Sequence, residues 1–128
     1  MRFTTSVAFA VLLFITAPAE AGPIQAYSSE SFARAKAAGL PILIDVHATW
    51  CPTCRAQDPI ILELSRDPSF EDLVILKLDF DSQVNERRAL GVSQQSTLVV
   101  YRGKAERGRG TGVTDREQIR ALAATALK

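Results

Sequence analysis

Two nearly continuous apolar runs constrain the fold of this chain more than any other feature. Residues 41–47 read Pro-Ile-Leu-Ile-Asp-Val-His, and residues 73–80 read Leu-Val-Ile-Leu-Lys-Leu-Asp-Phe. Short runs that are rich in aliphatic and β-branched residues predict strands buried on both faces of a sheet. A helical pattern separates the two runs, which indicates an α/β architecture.

Helical periodicity, helix caps and chain breakers predict four helices and three further strands. The helices are expected over residues 30–38, 51–65, 84–90 and from residue 115 onward. The further strands are expected over residues 24–27, 97–101 and 105–109. Pro59 should kink the second helix, and Thr114 with Glu117 should form a capping box at the start of the last. The order β-α-β-α-β-α-β-β-α predicts a central mixed β-sheet flanked by helices.

The composition suits one packed domain without a nucleic-acid partner. A chain of 128 residues leaves room for a single domain. Its hydrophobic content of 47% is enough for a core. The 15 basic residues are balanced by 14 acidic ones, and no basic stripe is visible. We therefore expect no nucleic acid among the partners.

The first 21 residues carry an export pattern. Arg2 gives a positive start, residues 7–16 form an apolar run, and Ala19-Glu20-Ala21 offers a small-x-small cleavage site. This arrangement is typical of a secretory signal peptide. An uncleaved anchor is the alternative, but the apolar run is short for a bilayer span. We expect residues 1–21 to be cleaved and residues 22–128 to form a periplasmic domain.

The chain has two cysteines, Cys51 and Cys54, and only two residues separate them. A bridge that closes so small a loop removes little entropy from the unfolded chain, so it stabilises little. At a helix N-terminus the dipole lowers the pKa of the first thiol. We expect Cys51 to attack a substrate and Cys54 to resolve the mixed disulfide. The alternatives are an inert bridge or half of a zinc site, for which His47 is the only further soft ligand.

The segment from Ile42 to Cys54, which includes Asp45 and Trp50-Cys51-Pro52-Thr53-Cys54, resembles the strand and active-site segment of the thioredoxin family. The resemblance extends over residues 22–128. It continues through Pro59, Lys77, Gly91-Val92, Thr97 and Gly112. It implies a thioredoxin-like fold and a thiol–disulfide oxidoreductase activity that needs no cofactor and no metal.

Asp45 interrupts an apolar strand and therefore needs an explanation. A buried carboxylate without partners is costly, so it should be protonated or solvated in a small polar cavity. The resemblance implies that Asp45 lies beneath the cysteines and exchanges a proton with Cys54, with Lys77 close by. The alternative is an aspartate at the strand end that faces solvent.

The resemblance also implies a substrate-binding surface around the cysteines. Trp50, Pro52 and Thr53 would flank the sulfur atoms on one side, and Gln95, Ser96 and Thr97 would face them. The family normally has a cis-proline at the position of Ser96. A cis bond before serine costs about 3 kcal/mol, so we expect a trans peptide and an altered groove.

These observations predict a periplasmic oxidoreductase that works as a reductant. Thr53 carries no charge, whereas strongly oxidising members often have histidine between the cysteines to stabilise the thiolate. The expected partners are thiols and disulfides of exported proteins and a membrane electron donor, and we expect a monomer. One alternative is a disulfide oxidant or isomerase. Another is a metal-binding or chaperone-like module on the same fold, which Ser96 and His47 would favour.

Overall fold

A computed structural model describes residues 24–128, and the predicted export segment lies outside them. These residues form a five-stranded mixed sheet with helices on both faces. The strands are β1 (Gln25–Ala26), β2 (Pro41–His47), β3 (Val74–Asp79), β4 (Thr97–Arg102) and β5 (Ala105–Thr111). The helices are α1 (Ser29–Ala37), α2 (Pro52–Arg66), α3 (Val84–Ala89) and α4 (Arg116–Ala124), with short 3-10 turns at Pro68–Phe70 and Thr125–Leu127.

The sheet has the strand order β1-β3-β2-β4-β5, so the first long apolar run occupies its centre. Strand β2 runs parallel to β3 and antiparallel to β4. In this register Asp45 lies between Lys77 of β3 and Leu98 of β4. The predicted α/β architecture with a central mixed sheet is therefore confirmed.

Alternation along β2 divides its side chains between two cores. Ile42, Ile44 and Val46 pack with α1 and the end of α3, whereas Leu43 packs with α2 and α4. Burial of each such side chain contributes about 1.5–3 kcal/mol. Since Asp45 and His47 follow Leu43 at intervals of two residues, both lie on the sheet face that α2 covers.

Two helix starts show what the local sequence could and could not define. Ser28 caps α1, and Ser31 completes a reciprocal capping box. The expected cap of α4 at Thr114 is wrong, because the Asp115 side chain accepts a hydrogen bond from the backbone N–H of Gln118 at 2.9 Å.

Pro59 lies inside α2, where it removes one backbone hydrogen-bond donor. No helix among the described residues is both long and apolar enough to cross a membrane.

Candidate active site

Cys51 and Cys54 form a disulfide at the N-terminus of α2. Cys51 is the cap residue, and its Sγ accepts the backbone N–H of Cys54 at 3.1 Å. Pro52 occupies the first helical position, where a missing N–H is harmless. Both cysteines are almost completely buried, Cys51 at 1% exposure and Cys54 at 0%. The helix therefore offers its free amides and its positive dipole end to the sulfur of Cys51.

Apolar side chains surround the two sulfur atoms. Ala48 and Phe80 pack against the cysteine pair. Arg87 stacks on the ring of Phe80 at 4.3 Å and donates its Nε–H to the Phe80 carbonyl at 3.1 Å. Arg87 therefore fixes Phe80 in place rather than contacting sulfur. Phe80 and Arg87 were not predicted from the sequence as parts of the site. The signal for Phe80 is that β2 and β3 are parallel, so their C-terminal ends lie at the same edge of the sheet.

The rim of the site is exposed and is anchored by an aspartate. Trp50 is 54% exposed, and its Nε1–H donates to Asp81 Oδ2 at 2.8 Å. Pro52 is exposed and Thr53 is half-buried. These three predicted substrate-binding residues thus lie around the disulfide, where an incoming chain can reach them. Asp81 was not anticipated, because it follows β3 and meets Trp50 only through the fold.

Asp45 is buried beneath α2 with 1% of its surface exposed. Neither carboxylate oxygen has a hydrogen-bond partner among residues 24–128. Burial raises the pKa of Asp45 to about 6, although the neighbouring side chains of Lys77 and His47 oppose the rise. This burial rules out the alternative of a solvent-facing aspartate. Proton exchange with Cys54 stays a prediction, and it requires a carboxyl group that changes protonation near neutral pH.

A second aspartate, Asp58, links the charged neighbours of Asp45. Its Oδ1 accepts from Lys77 Nζ at 3.2 Å, and its Oδ2 lies 3.3 Å from His47 Nε2. Lys77 is thereby paired with Asp58 instead of Asp45. The negative charge of Asp58 also adds to the rise in the pKa of Asp45. Sequence reasoning missed Asp58, although its position one helical turn after Cys54 places it on the helix that covers the site.

The loop before β4 has an unusual backbone at Ser96. No peptide bond in the described part of the chain is cis, as expected, and Ser96 has a positive φ of 57°. Its N–H donates to the Val46 carbonyl at 2.8 Å. Proline could not occupy this conformation, because its ring fixes φ near −65° and it has no N–H. Ser96 and Thr97 are buried, so Gln95 presents the accessible side chain of this predicted groove.

A comparison of the whole chain with known families decides its relationship. The family model described as Thioredoxin matches residues 24–125. This chain belongs to the thioredoxin family. Its activity is therefore that of a thiol–disulfide oxidoreductase, and the chain carries a Cys51–Cys54 disulfide.

Individual relatives agree with this assignment. Thioredoxin of Chlamydia muridarum is 31% identical over 96 residues, which cover 75% of this chain and 91% of that protein. The crystal structure of Trxlp from Edwardsiella tarda has 37% identity and a TM-score of 0.77, covering 79% of this chain and 98% of the other. Oxidised thioredoxin O2 from Arabidopsis thaliana has 29% identity and a TM-score of 0.67, with coverages of 77% and 85%.

The predicted site residues come from three segments of the thioredoxin fold. Trp50, Cys51, Pro52, Thr53 and Cys54 come from the β2–α2 junction. Asp45 comes from the central strand β2, and residues 95–97 come from the loop before β4 and its first residue. Within residues 24–128, no group of three or more His, Cys, Asp or Glu side chains is arranged to hold a metal ion.

Proposed function

We propose that this thioredoxin-family protein is an exported reductant of disulfides in periplasmic proteins. The observation that carries the proposal is the surroundings of the two sulfur atoms. Over residues 24–128, the Cys54 amide is the one hydrogen-bond donor to Cys51 Sγ, and no charged side chain donates a hydrogen bond to either sulfur.

The direction of electron flow follows from how well the reduced form is stabilised. A strong oxidant holds its reduced form in a stabilised thiolate, which lowers the thiol pKa and raises the reduction potential. Cys51 lies at a helix N-terminus, its sulfur accepts no hydrogen bond from a positively charged side chain among residues 24–128, and the dipeptide Pro52-Thr53 adds no charge. Asp45 supplies negative charge when ionised, which disfavours a nearby thiolate. Both features favour a low potential and hence donation of electrons.

The reaction is a pair of thiol–disulfide exchanges. The Cys51 thiolate attacks one sulfur of the substrate disulfide, forms a mixed disulfide and releases the other substrate sulfur, which takes a proton. Cys54 then loses its proton to Asp45 and attacks Cys51 Sγ. The second substrate sulfur leaves as a thiolate and takes up the proton that Asp45 received, and the Cys51–Cys54 disulfide forms. The substrate thereby gains two electrons from the protein, one proton from Cys54 and one proton from solvent, so the protein must be reduced again before the next cycle.

Export limits which class of electron donor can reduce the Cys51–Cys54 disulfide again. Residues 1–21 have the pattern of a signal peptide. A domain outside the cytosol has no access to cytosolic reductant, so a membrane protein with its own thiols is the proposed electron donor. The proposed substrates are disulfides of exported proteins, and the protein is proposed to act as a monomer.

The reduction potential tests the direction of the reaction. Equilibration with glutathione or dithiothreitol buffers, followed by thiol alkylation, should give a value near −270 mV for the Cys51–Cys54 couple. Thr53→His is the matched variant and should move the potential toward the oxidising side. A wild-type value near −120 mV would reverse the proposed direction.

Localisation and partners need a separate experiment. Fractionation of cells should find the protein in the periplasm, and sequencing of its N-terminus should begin at Gly22. Cys54→Ser should trap mixed disulfides with exported substrates and with the membrane donor, whereas Cys51→Ser should trap neither. A cytosolic protein with an intact Met1 would refute export without touching the exchange chemistry.

A further inference from the structure

A buried amide side chain connects the active-site helix to the loop before β4. Gln57 has no exposed surface and lies three residues after Cys54 on α2. Its Nε2 donates to the Ser96 carbonyl at 3.2 Å and to the Val113 carbonyl at 2.9 Å. One side chain therefore joins three segments that are far apart in the sequence.

The orientation of the Gln57 amide is determined by its partners. Both are carbonyl oxygens, so the NH₂ group must face them, and a flipped amide would place three oxygens together. In this orientation Oε1 is buried with no partner among residues 24–128. An unpaired buried acceptor lowers stability, whereas an aliphatic residue at this position would fill the core without that loss. Core packing alone therefore does not account for a glutamine here.

The Ser96 carbonyl is held from two sides. It accepts the N–H of Gly112 at 2.9 Å as well as Gln57 Nε2. Ser96 has the positive φ that L-residues rarely adopt, so it persists only where its surroundings hold it. The Gln57 bond is the one that comes from the helix carrying Cys54. Next to Ser96, Gln95 is half-buried and its backbone makes no hydrogen bond in the described residues.

We propose that Gln57 is a positioning residue for protein substrates. By holding the Ser96 carbonyl it fixes the loop beside Gln95, whose free backbone N–H and carbonyl can pair with an extended substrate chain. Gln57 does not touch the reacting sulfur atoms, so it should affect binding of a polypeptide and not the exchange step. The inference rests on the proposed exchange with protein disulfides.

The test compares a protein substrate with a small one. Gln57→Met keeps the length of the side chain and removes the donor. The KM for insulin disulfides should rise about tenfold, which corresponds to one hydrogen bond of about 1.4 kcal/mol. The rate with the small disulfide 5,5′-dithiobis(2-nitrobenzoate) and the reduction potential should stay within about twofold and a few millivolts of wild type. Ile61→Val, a buried change one turn further along α2, is the control and should leave both substrates unaffected.

Equal losses with both substrates, or an unchanged KM for insulin, would overturn the role of Gln57. A wild-type protein that reduces neither substrate would instead overturn the proposed function.

A second measurement avoids dependence on the folding of the Gln57→Met variant. When Cys54→Ser is joined to a cysteine peptide as a mixed disulfide, the Nε2 proton resonances of Gln57 should shift. Those of the exposed Gln118 should stay in place, and the absence of a Gln57 shift would contradict the inference.

Discussion

Replacing the buried Asp45 by asparagine should make the protein more stable at neutral pH. The carboxylate has no hydrogen-bond partner among the described residues, and burial raises its pKa from 3.8 to about 6. In the unfolded chain the same group ionises near its ordinary value. Between these two pKa values, the folded protein therefore binds one proton more than the unfolded chain.

The size of the effect follows from this difference in proton binding. A shift of about 2.2 pH units at 1.36 kcal/mol per unit corresponds to about 3 kcal/mol. The raised pKa makes the free energy of unfolding fall as pH rises from about 4 through 6, and the loss is complete above about pH 7. Below pH 4 both states are protonated, so the loss disappears. At pH 7, Asp45→Asn should be more stable than wild type by up to about 3 kcal/mol.

Urea unfolding of the oxidised protein between pH 3.5 and 8 measures this directly. The wild-type curve should fall relative to the Asp45→Asn curve, and the two should converge at the acidic end. Asp79→Asn is a control for which the opposite change in the free energy of unfolding is expected. Hydrogen bonds from the backbone N–H groups of Ser82 and Asp81 lower the pKa of Asp79. That variant should lose stability relative to wild type above pH 4. Parallel wild-type and Asp45→Asn curves across the whole range would refute the reasoning.

Three further substitutions, two of them paired with a control variant, test the neighbourhood of the site and one helix end. Asp58→Asn should lower the pKa of Asp45 below about 6, because it removes a negative charge and releases Lys77; a carboxyl NMR titration that shows no decrease would contradict this. Ser96→Pro should destabilise the protein by about 3 kcal/mol or more in urea unfolding, since it loses the N–H bonded to Val46 and cannot adopt φ of 57°. Ser96→Ala keeps that N–H and should change much less. Asp115→Ala should cost about 1 kcal/mol of stability and Thr114→Ala little, whereas the reverse order would restore Thr114 as the cap.

The sequence predicted the framework of the fold because its signals are local. Residues 41–47 were expected as a buried strand, and β2 has those bounds. The cysteine pair after this strand was expected at a helix N-terminus, where the structure places it. Apolar runs and caps act over a few residues, so they can be recognised without knowing what packs against them.

The parts that sequence reasoning missed depend on residues distant in the chain. The backbone of Ser96 is held by Val46, Gln57 and Gly112, which come from three other segments. Asp58 is an ordinary polar residue on a helix until β2 and β3 bring His47 and Lys77 to it. The misplaced cap of α4 has a different cause. Thr114 and Asp115 both favour this position, and the local sequence does not separate two adjacent residues.

The hydrogen bond between Trp50 and Asp81 makes Trp50 an intrinsic fluorescence probe of the neighbouring disulfide. Trp50 is the only tryptophan in the chain and precedes Cys51 directly. Its indole is tethered through Nε1, so its ring keeps a defined place beside the redox pair instead of rotating freely. A disulfide quenches indole emission by accepting an electron from the excited ring, and a dithiol does so less. The brightness of this one fluorophore should therefore follow each turnover in real time, without a label.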